Sequence, residues 1–212
     1  MKTPSIARLT TLSALVLVAS LAFWAPSAVS APAAGSTLDN LQAAFNGESN
    51  ASAKYAAYAE KADKEGYPGV ASLFRAASKA ESIHAAEHAS VIKGMGGVPK
   101  ADVKVPEAKS TKENLEDAIK GETYERDVMY PEFIAAAKKE GNREAVKAFN
   151  YAKTAEAEHA RMYGEDLKSL ESLKGKTQTY WVCMICGYTV PKIDFDKCPS
   201  CFNPKDKYVE VK

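Results

Sequence analysis

The chain of 212 residues carries 28 basic against 27 acidic side chains and is 46% hydrophobic. That balance leaves no electrostatic footprint for nucleic acid or for an anionic membrane surface. The length suffices for one helical domain and a small appendage.

Residues 1–30 differ from the rest. Lys2 and Arg8 precede an apolar run from Leu12 to Trp24, and small residues then lead to Ala28-Val29-Ser30. This is the three-part pattern of a secretory signal peptide, with cleavage expected between Ser30 and Ala31. The apolar run is short for a full span, which disfavours an uncleaved anchor, and no Cys follows it for lipid attachment. An exported protein of the bacterial periplasm, with no membrane span after signal removal, is therefore expected.

Residues 31–36 read as a small-residue linker, and residues 37–174 as a helical bundle. Helix 1 is expected from Thr37 or Leu38 to Glu65, with Thr37 as cap and Gly66 as stop. Pro68 suits the first turn of helix 2, which should reach Lys93 before Gly94, Gly96 and Gly97 break it. Residues 94–110, with Pro99 and Pro106, are long enough for a crossover along a bundle. Helix 3 should open at Ser110 or Thr111 and run to Glu140, with a kink or local loosening near Tyr130 because Pro131 lies inside it. Asn142 caps helix 4, which continues to Leu173. From residue 175 to 212 the composition changes, and Tyr180-Trp181-Val182 and Tyr208-Val209-Glu210-Val211 read as short strands.

The bundle contains an internal repeat. Lys64-Glu65-Gly66, Phe74, Ala77, Ala80, Glu81, His84 and Ala85 return 75 positions later, as Lys139-Glu140-Gly141, Phe149, Ala152, Ala155, Glu156, His159 and Ala160. Upstream, Phe45-Asn46-Gly47-Glu48-Ser49 is echoed 74 positions later by Ile119-Lys120-Gly121-Glu122-Thr123, so one residue is inserted between the blocks. Each half supplies a Gly-Glu on one helix and a Glu-x-x-His on the next. Residues three apart lie about 60° apart around a helix, so each Glu and His can address one metal. Charged pairs at that spacing also decorate solvated helix faces. The duplication, with Glu48 and Glu122 at matching places, argues for metal. The set matches the known ligands of ferritin-like di-iron bundles.

Carboxylate oxygens with imidazole suit iron or manganese. Glu125 lies one turn beyond Glu122 with Ala51 at the corresponding place in helix 1, and reads either as a solvated helix residue or as an extra ligand. Glu87 and His88 are expected outside the ligand set, in supporting or surface roles. Tyr55 and Tyr130, seven and eight residues after the repeated Glu, read first as core.

The last segment holds Cys183-x-x-Cys186-Gly-Tyr and Cys198-Pro-x-Cys201, two knuckles with tetrahedral-thiolate spacing. Two disulfides are the competing reading in an oxidising compartment. Ligand chemistry alone leaves zinc and iron open.

With these motifs in hand, residues 37–212 resemble the rubrerythrin family: a bundle first, a rubredoxin-like knot last, and Gly-Glu-x-x-Glu followed by Tyr-Pro in helix 3. The resemblance implies an all-α ferritin-like four-helix bundle followed by a small β-rich rubredoxin-like domain. It implies a di-iron centre held by Glu48, Glu81, His84, Glu122, Glu125, Glu156 and His159, with one iron moving between His84 and Glu125 on redox change. It also implies a rubredoxin-type iron site held by the four thiolates of Cys183, Cys186, Cys198 and Cys201, with zinc the other candidate. The implied activity is reduction of hydrogen peroxide to water, with electrons relayed through the cysteine-ligated iron. The family pairs subunits so that one chain's knot lies near another's di-iron site, implying a homodimer. Export separates the chain from the cytoplasmic reductants that most of the family uses, so its electron donor is unidentified. Two other readings share the ligands: a ferroxidase or iron-binding protein, and a non-enzymatic bundle with a structural zinc ribbon.

Overall fold

A computed structural model describes residues 35–212, together with Met1. The signal peptide and most of the linker expected from the sequence lie outside the described residues. Four helical rods form the bundle: α1 (Thr37–Glu65), α2 (Pro68–Gly94), a composite third rod, and α5 (Arg143–Leu173). The third rod comprises α3 (Thr111–Tyr124), a π-helical turn (Glu125–Met129) and α4 (Tyr130–Lys139). Among the described residues, no helix is long and apolar enough to cross a membrane.

Local chemistry sets the ends of the rods. Ser36, one residue before the expected Thr37, caps α1 in a reciprocal box with Asp39. Thr37 is instead buried, and its N–H donates to Glu140. Gly66 stops the helix in the left-handed region at φ 84°. Ser110 and Glu113 form the same box at α3, and the Asn142 side chain accepts from the Ala145 N–H at α5. Residues 97–110 cross between α2 and α3 without regular structure.

The interruption in the third rod is a local loosening before Tyr130 rather than a kink. The Tyr130 N–H reaches back to the Glu125 carbonyl, one residue further than in an α-helix, and Pro131 then occupies the first turn of α4. A π turn accommodates one extra residue in an otherwise continuous helix. The repeat explains it. Glu48 and Glu122 are 74 apart and Tyr55 and Tyr130 are 75 apart, so the additional residue falls where the helix widens.

Two apolar clusters fill the bundle. One gathers Tyr55, Phe74, Leu115, Tyr163 and Tyr180, and the other Leu41, Ile92, Tyr130, Ile134 and Phe149. On every rod the repeated acidic and imidazole residues fall between these clusters. Beyond the bundle, a three-stranded antiparallel sheet has the order β2-β1-β3, with β1 Tyr180–Cys183, β2 Thr189–Val190 and β3 Tyr208–Val211. The two-residue β2, too short to show in the sequence, pairs Thr189 with Val182 and lies against α2 and α5.

Candidate metal centres

In the bundle, ligand atoms gather in two overlapping groups, each within 4.8 Å: Glu48, Glu81, His84 and Glu156, and Glu81, Glu122, Glu156 and His159. Glu81 and Glu156 belong to both groups; Glu48 with His84, and Glu122 with His159, flank them. All six residues are buried. The near two-fold relation seen in the sequence is reproduced in distances. His84 Nδ1 lies 2.9 Å from Glu81 and 3.2 Å from Glu156, while His159 Nδ1 lies 2.9 Å from Glu156 and 3.2 Å from Glu81.

The histidines are oriented from behind. His84 Nε2 lies 3.1 Å from the Cys186 carbonyl, which can only accept, so Nε2 carries the proton. His159 Nε2 lies 3.1 Å from Thr189 Oγ1, whose own proton goes to the Gly187 carbonyl at 2.9 Å, so this Nε2 donates too. In the neutral imidazoles both Nδ1 lone pairs therefore face the carboxylates, as metal ligation requires.

The acidic cluster shows strain that a cation would relieve. Glu48 Oε2, Glu81 Oε1, Glu122 Oε2 and Glu156 Oε1 are buried without hydrogen-bond partners. Burial, with Glu48 and Glu122 nearby, pushes the Glu81 carboxyl up, and burial with Glu81 pushes Glu156 well up. Burial opposes charge on His84 and His159, yet Glu156 and Glu81 respectively hold their pKa values well above the ordinary range. Buried carboxylates this close are unfavourable without compensating positive charge, and hard oxygen and imidazole donors suit iron or manganese.

Each flanking carboxylate also has a tyrosine behind it. Tyr55 OH donates to Glu122 and Tyr130 OH to Glu48. Because the Tyr130 proton is directed at Glu48, its oxygen accepts from His88 Nε2 at 3.1 Å. His88 is fully buried, and burial keeps its pKa below the usual value. The sequence leaves His88 between a supporting and a surface role and favours plain core for both tyrosines; their spacing from the repeated Glu is the available signal.

Glu125 stands apart. It is half-buried at the start of the π turn and belongs to neither four-residue group. Burial, followed by Glu48, Glu122 and Glu156, drives its carboxyl well above the usual range.

The four cysteines are free thiols gathered within 4.8 Å, with Sγ separations of 3.7 Å (Cys183–Cys201) and 3.6 Å (Cys186–Cys198). A tetrahedron with metal–sulfur bonds of about 2.3 Å has edges of about 3.8 Å, so the spacing fits one thiolate-bound metal. Disulfide pairing is not what the structure has. Tyr208 OH donates to Cys198 Sγ at 3.1 Å and Asn203 Nδ2 to Cys201 Sγ at 3.3 Å, contacts that tune a thiolate metal.

The knot meets the bundle of its own chain. Gly187, at φ 73°, faces the His84 ring so closely that an added Cβ would lie 2.9 Å from Cδ2 and 3.0 Å from Cε1, and closer still to Nε2. The knot of this chain thus lies beside its own di-iron site.

Comparison with known proteins agrees with this geometry. The family model described as Rubrerythrin matches residues 39–167. Nigerythrin of Nitratidesulfovibrio vulgaris is 44% identical over 177 residues, covering 83% of this chain and 87% of that protein. Rubrerythrin-2 of Clostridium acetobutylicum is 33% identical, covering 81% and 95%. The solved structure described as the fully reduced, all-ferrous state of nigerythrin superposes with a TM-score of 0.80 at 41% identity, covering 87% of this chain and 91% of that one. A bacterioferritin of Mycobacterium tuberculosis, 20% identical with a TM-score of 0.59, covers 64% of this chain and 86% of its own and shares the fold alone.

Proposed function

We propose that this chain, which belongs to the rubrerythrin family and has its di-iron and rubredoxin-like four-cysteine sites, reduces hydrogen peroxide to water with electrons relayed through the cysteine-ligated metal. Glu81 and Glu156 serve both positions of the di-iron site, with Glu48 and His84 on one side and Glu122 and His159 on the other. Glu125 and His84 act as alternative ligands of one position. Cys183, Cys186, Cys198 and Cys201 hold the second centre, taken as iron. Bound in these sites, iron supplies electrons for cleavage of the peroxide O–O bond.

The chain's own residues do the rest. Tyr55 and Tyr130 hold the flanking carboxylates, and His88 holds Tyr130 in turn. Cys186 and Thr189 fix both imidazole tautomers and orient the rings.

The observation that carries this reading is the hydrogen bond from His84 Nε2 to the Cys186 carbonyl. It joins a cysteine of one centre to a histidine of the other through bonded atoms and a single hydrogen bond. An iron-storage protein has no need of such a link. Export to the periplasm, an electron donor in that compartment and pairing of two copies belong to the same proposal, resting on the leader pattern and on the family.

The test uses anaerobic, iron-loaded protein reduced stoichiometrically and mixed with peroxide while the visible absorption of the Cys-ligated iron is followed. Rapid reoxidation, lost in Glu81→Ala and Glu156→Ala, is the expected result. A centre that stays reduced, or that holds zinc and shows no visible absorption, would replace this function with iron handling or a structural ribbon.

A further inference from the structure

Two polar atoms on α5 are buried without hydrogen-bond partners and outside the ligand groups: the Tyr163 hydroxyl and Asp166 Oδ2. With His159 they occupy positions i, i+4 and i+7, one stripe of the helix leading away from the di-iron site. The Tyr163 ring lies 6.4 Å from the His159 ring and 5.7 Å from the ring of Tyr55, whose hydroxyl donates to Glu122. At the other end, Asp166 lines a pocket of about 260 Å³ with Gly69, Lys176, Gln178, Tyr180 and Pro191.

An unpartnered buried polar atom costs about 1–3 kcal/mol, so two along one stripe call for an explanation. Peroxide reduction offers one. It breaks the O–O bond, takes up two electrons and two protons, and releases two waters. The knot side cannot bring in those protons, because both imidazole N–H groups are committed to Cys186 and Thr189. The His88–Tyr130 chain stays inside the core: His88 is fully buried, packs 5.4 Å from the Phe149 ring, and leaves its Nδ1 without a partner. The α5 stripe, by contrast, starts at His159 beside the carboxylates and ends at the pocket that Asp166 lines.

We propose that Asp166 and Tyr163 form the proton inlet of the di-iron site, with Asp166 taking protons from the pocket and Tyr163 passing them toward Glu122. This rests on the peroxide-reducing function proposed above. Burial, then Glu122, Glu81 and Glu156, holds the Tyr163 phenol neutral and well above its ordinary pKa, so it relays a proton without ionising on its own. Burial, and then Glu165 beside it, raises Asp166 to about 6. Asp166 is thereby able to load and release a proton close to neutrality. Tyr180 of β1 faces it from the knot side, and Lys176 lines the same pocket.

The experiment follows peroxide-driven reoxidation of the reduced, iron-loaded full chain from pH 5 to 8. In the wild type the rate should fall as pH rises through about 6, because protonated Asp166 is the donor. Asp166→Asn and Tyr163→Phe should each slow the reaction at least about tenfold and Asp166→Asn should erase that inflection. Iron content and visible absorption should be unchanged in both, and Asp166→Glu should restore most of the rate. Rapid wild-type turnover matched in rate and pH profile by Asp166→Asn and Tyr163→Phe would overturn the inlet and leave the function standing. Failure of the wild type to react would overturn the function instead. The inlet is then decided in metal-free protein by carbon-13 NMR of the Asp166 carboxyl. Its titration should shift in Tyr163→Phe, and an identical titration would refute the shared proton path.

Discussion

Glycine at position 187 answers to two demands. Its φ of 73° suits the knuckle, and its missing side chain lets the Cys186 carbonyl reach His84. In Gly187→Ala the knuckle would carry about 1–2 kcal/mol of left-handed strain, and the new methyl group would push the knot off the imidazole. The expected outcome is a Cys-ligated iron with normal visible absorption whose reoxidation by peroxide slows by about 10–100-fold, the scale of an ångström-sized misplacement. Stopped-flow absorbance checks it, and an unchanged rate would separate the contact from electron transfer. Residues of this kind are the hardest to find in a sequence. Glu81 and His84 are legible because helical geometry alone aligns positions three apart. Gly187 and His88 take their roles from neighbours on other elements, and nothing local marks them. The pattern Cys-x-x-Cys-Gly-Tyr identifies the knuckle but not the histidine that the glycine admits.

At the scale of elements, the two halves of the bundle differ by one residue, and the third rod absorbs it as a π turn. Tyr55 lies seven residues after Glu48 and Tyr130 eight after Glu122, yet each tyrosine reaches the flanking carboxylate of the other half. The widened turn thus preserves register at both of its ends while reorienting what lies between, including Glu125. Deleting Val128 should let the rod close into uninterrupted α-helix, giving it the spacing that α1 already has. The chain should fold, at an ordinary single-change cost of about 0.5–3 kcal/mol, and bind two irons in the bundle. Its peroxide reaction should drop at least about tenfold because Glu125 is turned away. Iron stoichiometry and stopped-flow rates report the two halves of this expectation; full activity would remove Glu125 from the mechanism. The rods and most of their ends are readable from caps, glycines and apolar spacing. The π turn is present in the sequence as the change of offset from 74 to 75, and Pro131 points to a kink or loosening near Tyr130 without specifying a π turn. Thr37 reads as the cap where Ser36 is, a one-residue error at a boundary that only the Asp39 partner resolves.

For the whole molecule, the buried carboxylates make stability depend on metal. Four orphaned oxygens and several raised carboxyl groups are compensated when cations bind. Ligand held at a thousandfold over its Kd adds about 4 kcal/mol to folding, which for a chain of this size is about 8–16 °C in melting temperature. Removing the bundle's iron with a chelator should lower the thermal midpoint by about that much, as calorimetry would show. An unshifted midpoint would mean the cluster is already balanced without metal. The join between bundle and knot is invisible in the sequence, which contains both parts but not the surface on which they meet.

That join bears on biogenesis. A ribosome finishes the bundle before it makes the knot, so both imidazoles exist before the backbone carbonyl and the hydroxyl that settle their tautomers. A chain ending after α5 would possess every carboxylate and both histidines, yet neither ring would have its proton assigned. The later-made knot is therefore what readies the earlier-made helices for metal.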